Sequence, residues 1–152
     1  MSYVHHTILL LDDNLDDSRF TRLALQRVGV ITPIQAVGRL EEAQQYLCAE
    51  GCYADGEQYP PPVLVMLDMM HCSSGLEFLS WLRSQPALRR LPAVVLSSCN
   101  DIAEINRAYE HGCNSYLVKP PSFNTLLVMM QTLTQYWLGM NQTPERSTGF
   151  RS

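Results

Sequence analysis

Short apolar runs alternate along the chain with stretches whose apolar residues recur at helical spacing. Thr7-Ile8-Leu9-Leu10-Leu11 is continuous and β-compatible, as suits a strand buried on both faces of a parallel sheet, and it ends at Asp12-Asp13. Phe20, Leu23, Ala24 and Val28 then fall on one face of a helix that Gly29 stops. Ile34 to Val37 predicts a second strand, and Leu40, Ala43 and Leu47 a second helix. Residues 50 to 62 predict a polar loop made rigid at its end by Pro60-Pro61-Pro62. Val63 to Leu67 is the third strand, running into Asp68. Gly75 to Arg83 is a helix with Leu76, Leu79 and Leu82 along it. A fourth strand, Ala93 to Leu96, follows Pro92, and a helix from Asp101 carries Ile102, Ile105 and Tyr109 to its stop at Gly112. Ser115 to Val118 is the fifth strand. The last helix, about Ser122 to Leu138, sets Phe123, Leu126, Leu127, Met130, Leu133 and Trp137 toward a core.

Five strands alternating with five helices predict an α/β fold, a parallel sheet covered on both faces, with its site outside the carboxyl ends of the strands. At 152 residues and 46% hydrophobic content the chain is one domain with a good core. Its 11 Lys+Arg against 15 Asp+Glu argue against a non-specific nucleic-acid binder. No apolar run approaches the roughly 20 residues that span a bilayer, and Met1 to His6 carries no export signal, which points to the cytoplasm. Cys48, Cys52, Cys72, Cys99 and Cys113 are odd in number and scattered. Cys48 and Cys52 with His71-Cys72 suggest zinc only weakly, because no second close pair completes a set, and reduced thiols are the better reading.

The strand ends carry the chemistry. Asp12 and Asp13, Asp68, Ser97 and Lys119 all fall on one edge of a parallel sheet, so folding gathers three carboxylates, a hydroxyl and an ammonium. Packed carboxylates repel, and a hard divalent cation such as Mg²⁺ relieves the repulsion. A hydroxyl and an ammonium opposite that cation suit a phosphoryl group. Taken singly, each residue also has an ordinary role: acids at a helix start, a solvated strand end, a turn hydroxyl, a surface lysine.

Leu10-Leu11-Asp12-Asp13-Asn14, Val65-Met66-Leu67-Asp68, Val94-Val95-Leu96-Ser97-Ser98 and Tyr116-Leu117-Val118-Lys119-Pro120 together resemble the receiver domain of two-component response regulators. The resemblance covers residues 6 to 138 and leaves 139 to 152 as a polar tail. It implies a flavodoxin-like (βα)5 fold with strand order 2-1-3-4-5. It implies that Asp68 takes a phosphoryl group from a sensor histidine kinase, that the chain is a phosphoacceptor rather than a conventional enzyme, and that Mg²⁺ is held by Asp13 and Asp68, by Asp12 through water, and by the backbone carbonyl of Met70. Ser97 and Lys119 match the groups that bind phosphoryl oxygens, Ser97 and Tyr116 the switch pair, and Lys119-Pro120 a bond that is cis in the family. Asp16-Asp17, Tyr53-Ala54-Asp55, Leu88-Arg89-Arg90-Leu91-Pro92 and Tyr136-Trp137-Leu138 resemble the small stand-alone regulators paired with bacterial phytochrome-type kinases. Met69-Met70-His71-Cys72-Ser73-Ser74-Gly75 departs from the family pattern: it lacks the usual Pro after the acceptor and is one residue shorter.

The expected function is thus a cytoplasmic single-domain response regulator. Its output runs through protein contact or relay to a phosphotransfer histidine, with no DNA-binding segment, no membrane and a homodimer through the fourth and fifth helices. The alternatives are a receiver-like adaptor that is never phosphorylated, and a phosphoester hydrolase, for which no leaving-group acid stands beside Asp68.

Overall fold

The structure is a computed structural model, and it describes residues 7–12, 15–29, 33–69 and 72–144. Its strands are β1 (Thr7–Asp12), β2 (Ile34–Val37), β3 (Pro62–Met69), β4 (Ala93–Ser97) and β5 (Ser115–Val118). Its helices are α1 (Leu15–Arg27), α2 (Leu40–Cys48), α3 (Cys72–Ser84), α4 (Ile102–Glu110) and α5 (Phe123–Thr134). A short 3₁₀ turn covers Gly51–Tyr53, and a π-helical turn, Gln135–Met140, continues α5. All strand pairs are parallel, in the order β2-β1-β3-β4-β5. Among the described residues no helix is long and apolar enough to cross a membrane.

The alternation of side chains along each strand divides the sheet into two cores. Leu9, Leu11, Val65, Leu67 and Val95 pack with Ala43, Tyr46 and Leu47 of α2, Phe78, Leu79 and Leu82 of α3, and Ala108 of α4. Ile8, Leu10, Leu64, Met66, Val94 and Leu96 pack with Ala24 and Leu25 of α1 and Leu126, Met130 and Leu133 of α5. The apolar runs of β1 and β3 are continuous because both faces of those strands are dry. Burying each such Leu, Ile or Val contributes about 1.5–3 kcal/mol.

Three helix faces differ from their predicted faces. In α1 the buried stripe is Thr21, Ala24 and Leu25, while Phe20 is 58% and Leu23 38% exposed. Phe20 meets Phe123 of α5 edge-on at 6.4 Å. In α4 only Ala108 is buried, and Ile102 and Tyr109 point outward. Helical spacing admits two neighbouring stripes, and the small Ala108 permits close approach of α4 to the sheet. In α5 the π-helical turn puts Leu138, five residues after Leu133, into the core, whereas Trp137 is only partly buried.

The loop after α2 is held by aromatic packing rather than being a polar excursion. Tyr46, Tyr53 and Tyr59 stack edge to face, with centroids 5.0 to 6.1 Å apart. The Tyr46 hydroxyl donates to the Pro60 carbonyl at 2.6 Å. Burial, with the nearby Cys52 adding to it, pushes the Tyr53 phenol above its ordinary value.

Arg83, at the end of α3, ties three segments together. It donates to the carbonyls of Gly112, Arg89 and Leu91 and to Asn114 Oδ1, at 2.8 to 3.0 Å. Burial lowers its guanidinium from the ordinary value, and these acceptors compensate. Asn114 Oδ1 also accepts from the Ala93 N–H at 2.8 Å, so the start of β4 shares this junction. Gly112 is required here: its φ is +110°, and a Cβ would lie 2.6 Å from Arg83 Cγ. Gly112→Ala therefore lowers the unfolding free energy by about 2 kcal/mol, from the strained φ and the displaced arginine together. Urea unfolding measures it, and a loss under 0.5 kcal/mol refutes it.

Candidate functional site

The parity that divides the core also aims the strand-end residues. Asp12 continues the series Ile8, Leu10, and Asp68 the series Leu64, Met66, so both carboxylates emerge on the sheet face covered by α1 and α5. Asp12 and Asp68 are Cα partners across the β1–β3 pairing. Both are buried, at 1% and 0% exposure. Lys119 follows β5 with the parity of Leu117, which packs on the same face, and its ammonium pairs with Asp68 Oδ1. The other oxygen, Oδ2, accepts from the Thr21 hydroxyl at 2.6 Å.

Ser97 has the opposite parity, with Val95 and Tyr116, on the face toward α3 and α4. It is fully buried, and its Oγ accepts from the Cys99 N–H at 3.1 Å. Among the described residues no hydrogen bond joins it to Asp68. Its carbonyl accepts from the Lys119 N–H at 2.8 Å, which locks the ends of β4 and β5 together. The Tyr116 hydroxyl donates to the Cys99 carbonyl at 2.8 Å, so Tyr116 is attached to the turn that follows Ser97.

Of the residues expected at the site, the structure brings Asp12, Asp68 and Lys119 together, with Ser97 and Tyr116 on the adjoining strands. Asp13 and Met70, the other expected metal ligands, lie outside the described residues, as does His71. The Lys119–Pro120 peptide is trans, since no cis bond occurs among the described residues, and the expectation of a cis bond is corrected. The trans form is preferred by about 0.5–1 kcal/mol. The Lys119 N–H bond to the Ser97 carbonyl and the ion pair with Asp68 are both present with this bond trans. Thr21 was not foreseen. Its signal was a hydroxyl between apolar positions of α1, three and four residues before Ala24 and Leu25.

The charge balance indicates what the site accepts. Asp12 and Asp68 lie buried side by side at the strand ends, with Lys119 paired to Asp68, so the corner is hard and rich in carboxylate oxygen. Among the described residues no three His, Cys, Asp or Glu side chains converge as a metal cluster. The sequence neighbour Asp13 is the carboxylate that would complete one. The donor chemistry fits a hard divalent cation and does not fit zinc. Among the described residues, Cys48, Cys52, Cys99 and Cys113 are not gathered with other ligands into a metal cluster.

A receiver-domain model of response regulators matches residues 8–131. FilR2 of Methanothrix harundinacea, a probable methanogenesis regulatory protein, is 33% identical over 138 residues, 90% of this chain and 86% of its own. The response regulator Rcp1 of Synechocystis is 30% identical over 132 residues, 86% of this chain and 88% of its own. The Mn(2+)-bound form of Rcp1 superposes with a TM-score of 0.77 at 28% identity, covering 92% of this chain and 99% of that one. The phosphorylated cyanobacterial phytochrome response regulator RcpA superposes with a TM-score of 0.82 at 31% identity, covering 93% of this chain and all of that one.

Removing the ammonium leaves the buried Asp68 carboxylate with the Thr21 hydroxyl as its side-chain donor among the described residues, beside a second carboxylate, Asp12. Lys119→Met therefore lowers the unfolding free energy by about 3 kcal/mol. Asp68→Asn in the same background restores most of it. Equal losses in the single and double variants, measured by urea unfolding, would refute the coupling.

Proposed function

The chain belongs to the response regulator receiver family, and from that membership we propose that Asp68 is its phosphoacceptor. Receiver domains accept a phosphoryl group in two-component signalling, and this chain is one of them. The observation that carries the assignment to Asp68 is its position: a fully buried carboxylate at a strand end, bracketed by Lys119 and Thr21 beside a second buried carboxylate. A lone pair of the acceptor oxygen forms the new O–P bond as the P–N bond of a phosphohistidine breaks, and the electron pair leaves with the imidazole.

Lys119 and Ser97 bind the oxygens of the transferred group, the ammonium as a point charge and the hydroxyl after its turn moves toward the site. Mg²⁺ is the cofactor of this reading; it would be held by Asp12, Asp13, Asp68 and the Met70 carbonyl, and would supply neutralisation of the incoming phosphoryl charge. Support comes from the surplus of buried carboxylate and from the Mn(2+)-bound form of the relative Rcp1. The chain acts as a phosphoacceptor and not as a conventional enzyme. Its partner is a sensor histidine kinase of phytochrome type, in the cytoplasm, as the kinship with Rcp1 and RcpA supports. The receiver unit is residues 6–138, with 139–152 as a tail.

The phosphoryl group adds a charge of about −1.5 to −2. Drawing Ser97 toward it pulls the turn whose Cys99 carbonyl holds Tyr116. The signal therefore passes from the face of α1 and α5, where the chemistry occurs, to the α4–β5–α5 surface. That surface carries exposed Ile102, Tyr109, Val118, Val128 and Tyr136. It also carries a groove of about 380 Å³ lined by Leu117, Val128, Met129, Leu133, Tyr136 and Trp137. A second copy of the chain covers it in this reading, and a downstream protein or phosphotransfer partner reads the result.

Two outcomes test the proposal. With acetyl phosphate and Mg²⁺ the wild type gains one hydroxylamine-labile phosphoryl by intact mass, and Asp68→Asn or a chelator abolishes it. An Asp68→Asn protein that still gains the group removes the assignment. In sedimentation the wild type runs as a dimer, and Val128→Glu with Tyr136→Glu runs as a monomer. A wild type that is monomeric at high concentration, phosphorylated or not, removes the interface.

A further inference from the structure

We propose that Thr21 is a positioning residue for phosphoryl transfer: its hydroxyl holds one oxygen of Asp68, leaves the other to react, and shortens the life of the phosphorylated state. The inference rests on Asp68 being the phosphoacceptor.

Thr21 is fully buried on the inner face of α1, where its neighbours on the stripe are Ala24 and Leu25. A buried hydroxyl needs a partner. In α5, the hydroxyls of Thr132 and Thr134 donate one turn back, to the carbonyls of Val128 and Met130. The Thr21 hydroxyl instead gives its proton to Asp68 Oδ2, at 2.6 Å, across 47 residues of sequence.

The two oxygens of Asp68 are therefore not equivalent. Oδ1 faces Lys119, whose side chain is 13% exposed and whose ammonium sits on a flexible four-carbon stem. Lys119 lines an opening with Thr21, Phe20, Ser98, Pro120 and Phe123, which leaves space for its ammonium to move. The ammonium can follow the negative charge from Oδ1 onto a phosphoryl oxygen. Thr21 has less reach: it is fully buried, and its short β-branched side chain has only two χ1 rotamers open to it in a helix. Oδ1 is thus the nucleophile, and Oδ2 stays on Thr21 throughout.

During transfer a lone pair on Oδ1 makes the bond to phosphorus, and the donor leaves with the pair from its broken bond. Asp68 becomes a mixed anhydride, and Oδ2 changes from a shared carboxylate oxygen to a neutral carbonyl oxygen. In hydrolysis the oxygen of water attacks phosphorus, the Oδ1–P bond breaks, its pair returns to the carboxylate, and a proton passes from the water to solvent or phosphate. The Thr21 bond is charge-assisted on the carboxylate side only, and such bonds are about twice as strong as neutral ones. It therefore favours return of charge to Asp68, and its loss lengthens the phosphoryl lifetime by roughly fivefold.

The test loads full-length wild type, Thr21→Val and Thr21→Ser with acetyl phosphate and Mg²⁺, removes the donor, and follows the phosphoryl by intact mass. Thr21→Val, without the hydroxyl, holds the group about fivefold longer. Thr21→Ser, which keeps the hydroxyl, stays within about twofold of wild type. A Thr21→Val lifetime equal to or shorter than wild type overturns the proposal. So does equal lengthening in Thr21→Ser, which would trace the effect to packing. Thr21→Ala takes the place of Thr21→Val if the latter does not fold. A wild type that never gains a hydroxylamine-labile phosphoryl overturns the assignment of Asp68 itself, a result distinct from either of these.

Discussion

The pairing of Asp68 with Lys119 is the constraint around which the rest of the site is arranged. A carboxylate with no exposure carries an effective desolvation penalty of several kcal/mol unless charge and hydrogen bonds replace its water. Lys119 replaces it on one oxygen and Thr21 on the other. Asp12, in register on the neighbouring strand, adds a second buried negative charge. Two carboxylates buried side by side make the corner receptive to a cation and, through it, to a phosphoryl group.

Side-chain parity puts the acceptor on one face of the sheet and the Ser97–Tyr116 pair on the other. Asp12, Asp68 and Lys119 share the parity that faces α1 and α5, whereas Ser97 and Tyr116 share the other. The link between the faces runs through backbone and loop: the Lys119 N–H to the Ser97 carbonyl, then Ser97 and Cys99 to Tyr116. A displacement at the acceptor can reach the α4–β5 surface without passing through a close-packed core, which transmits little gradual motion. The Arg83 junction, bonded to the α4–β5 loop and to the strand that follows Leu91, holds the base of that lever fixed.

Much of this was legible in the sequence. Apolar runs of the right length, four of the five ending in Asp, Ser or Lys, determined the five strands, the parallel sheet and the edge on which Asp12, Asp68, Ser97 and Lys119 meet. The physical reason is that a strand buried on both faces leaves a continuous apolar record, and a parallel sheet puts all its strand ends on one side. Tertiary structure alone decided the rest. Which of two adjacent helical stripes faces inward depends on what the sheet offers: Thr21 is buried because Asp68 supplies an acceptor, and Phe20 is left outside against Phe123. Leu138 displaces Trp137 from the core because the backbone widens into a π-helical turn, which periodicity does not announce. The tyrosines that hold the loop after α2 meet across a turn and share no sequence period. For Thr21 the deciding partner lies 47 residues away, and local pattern carries no record of it.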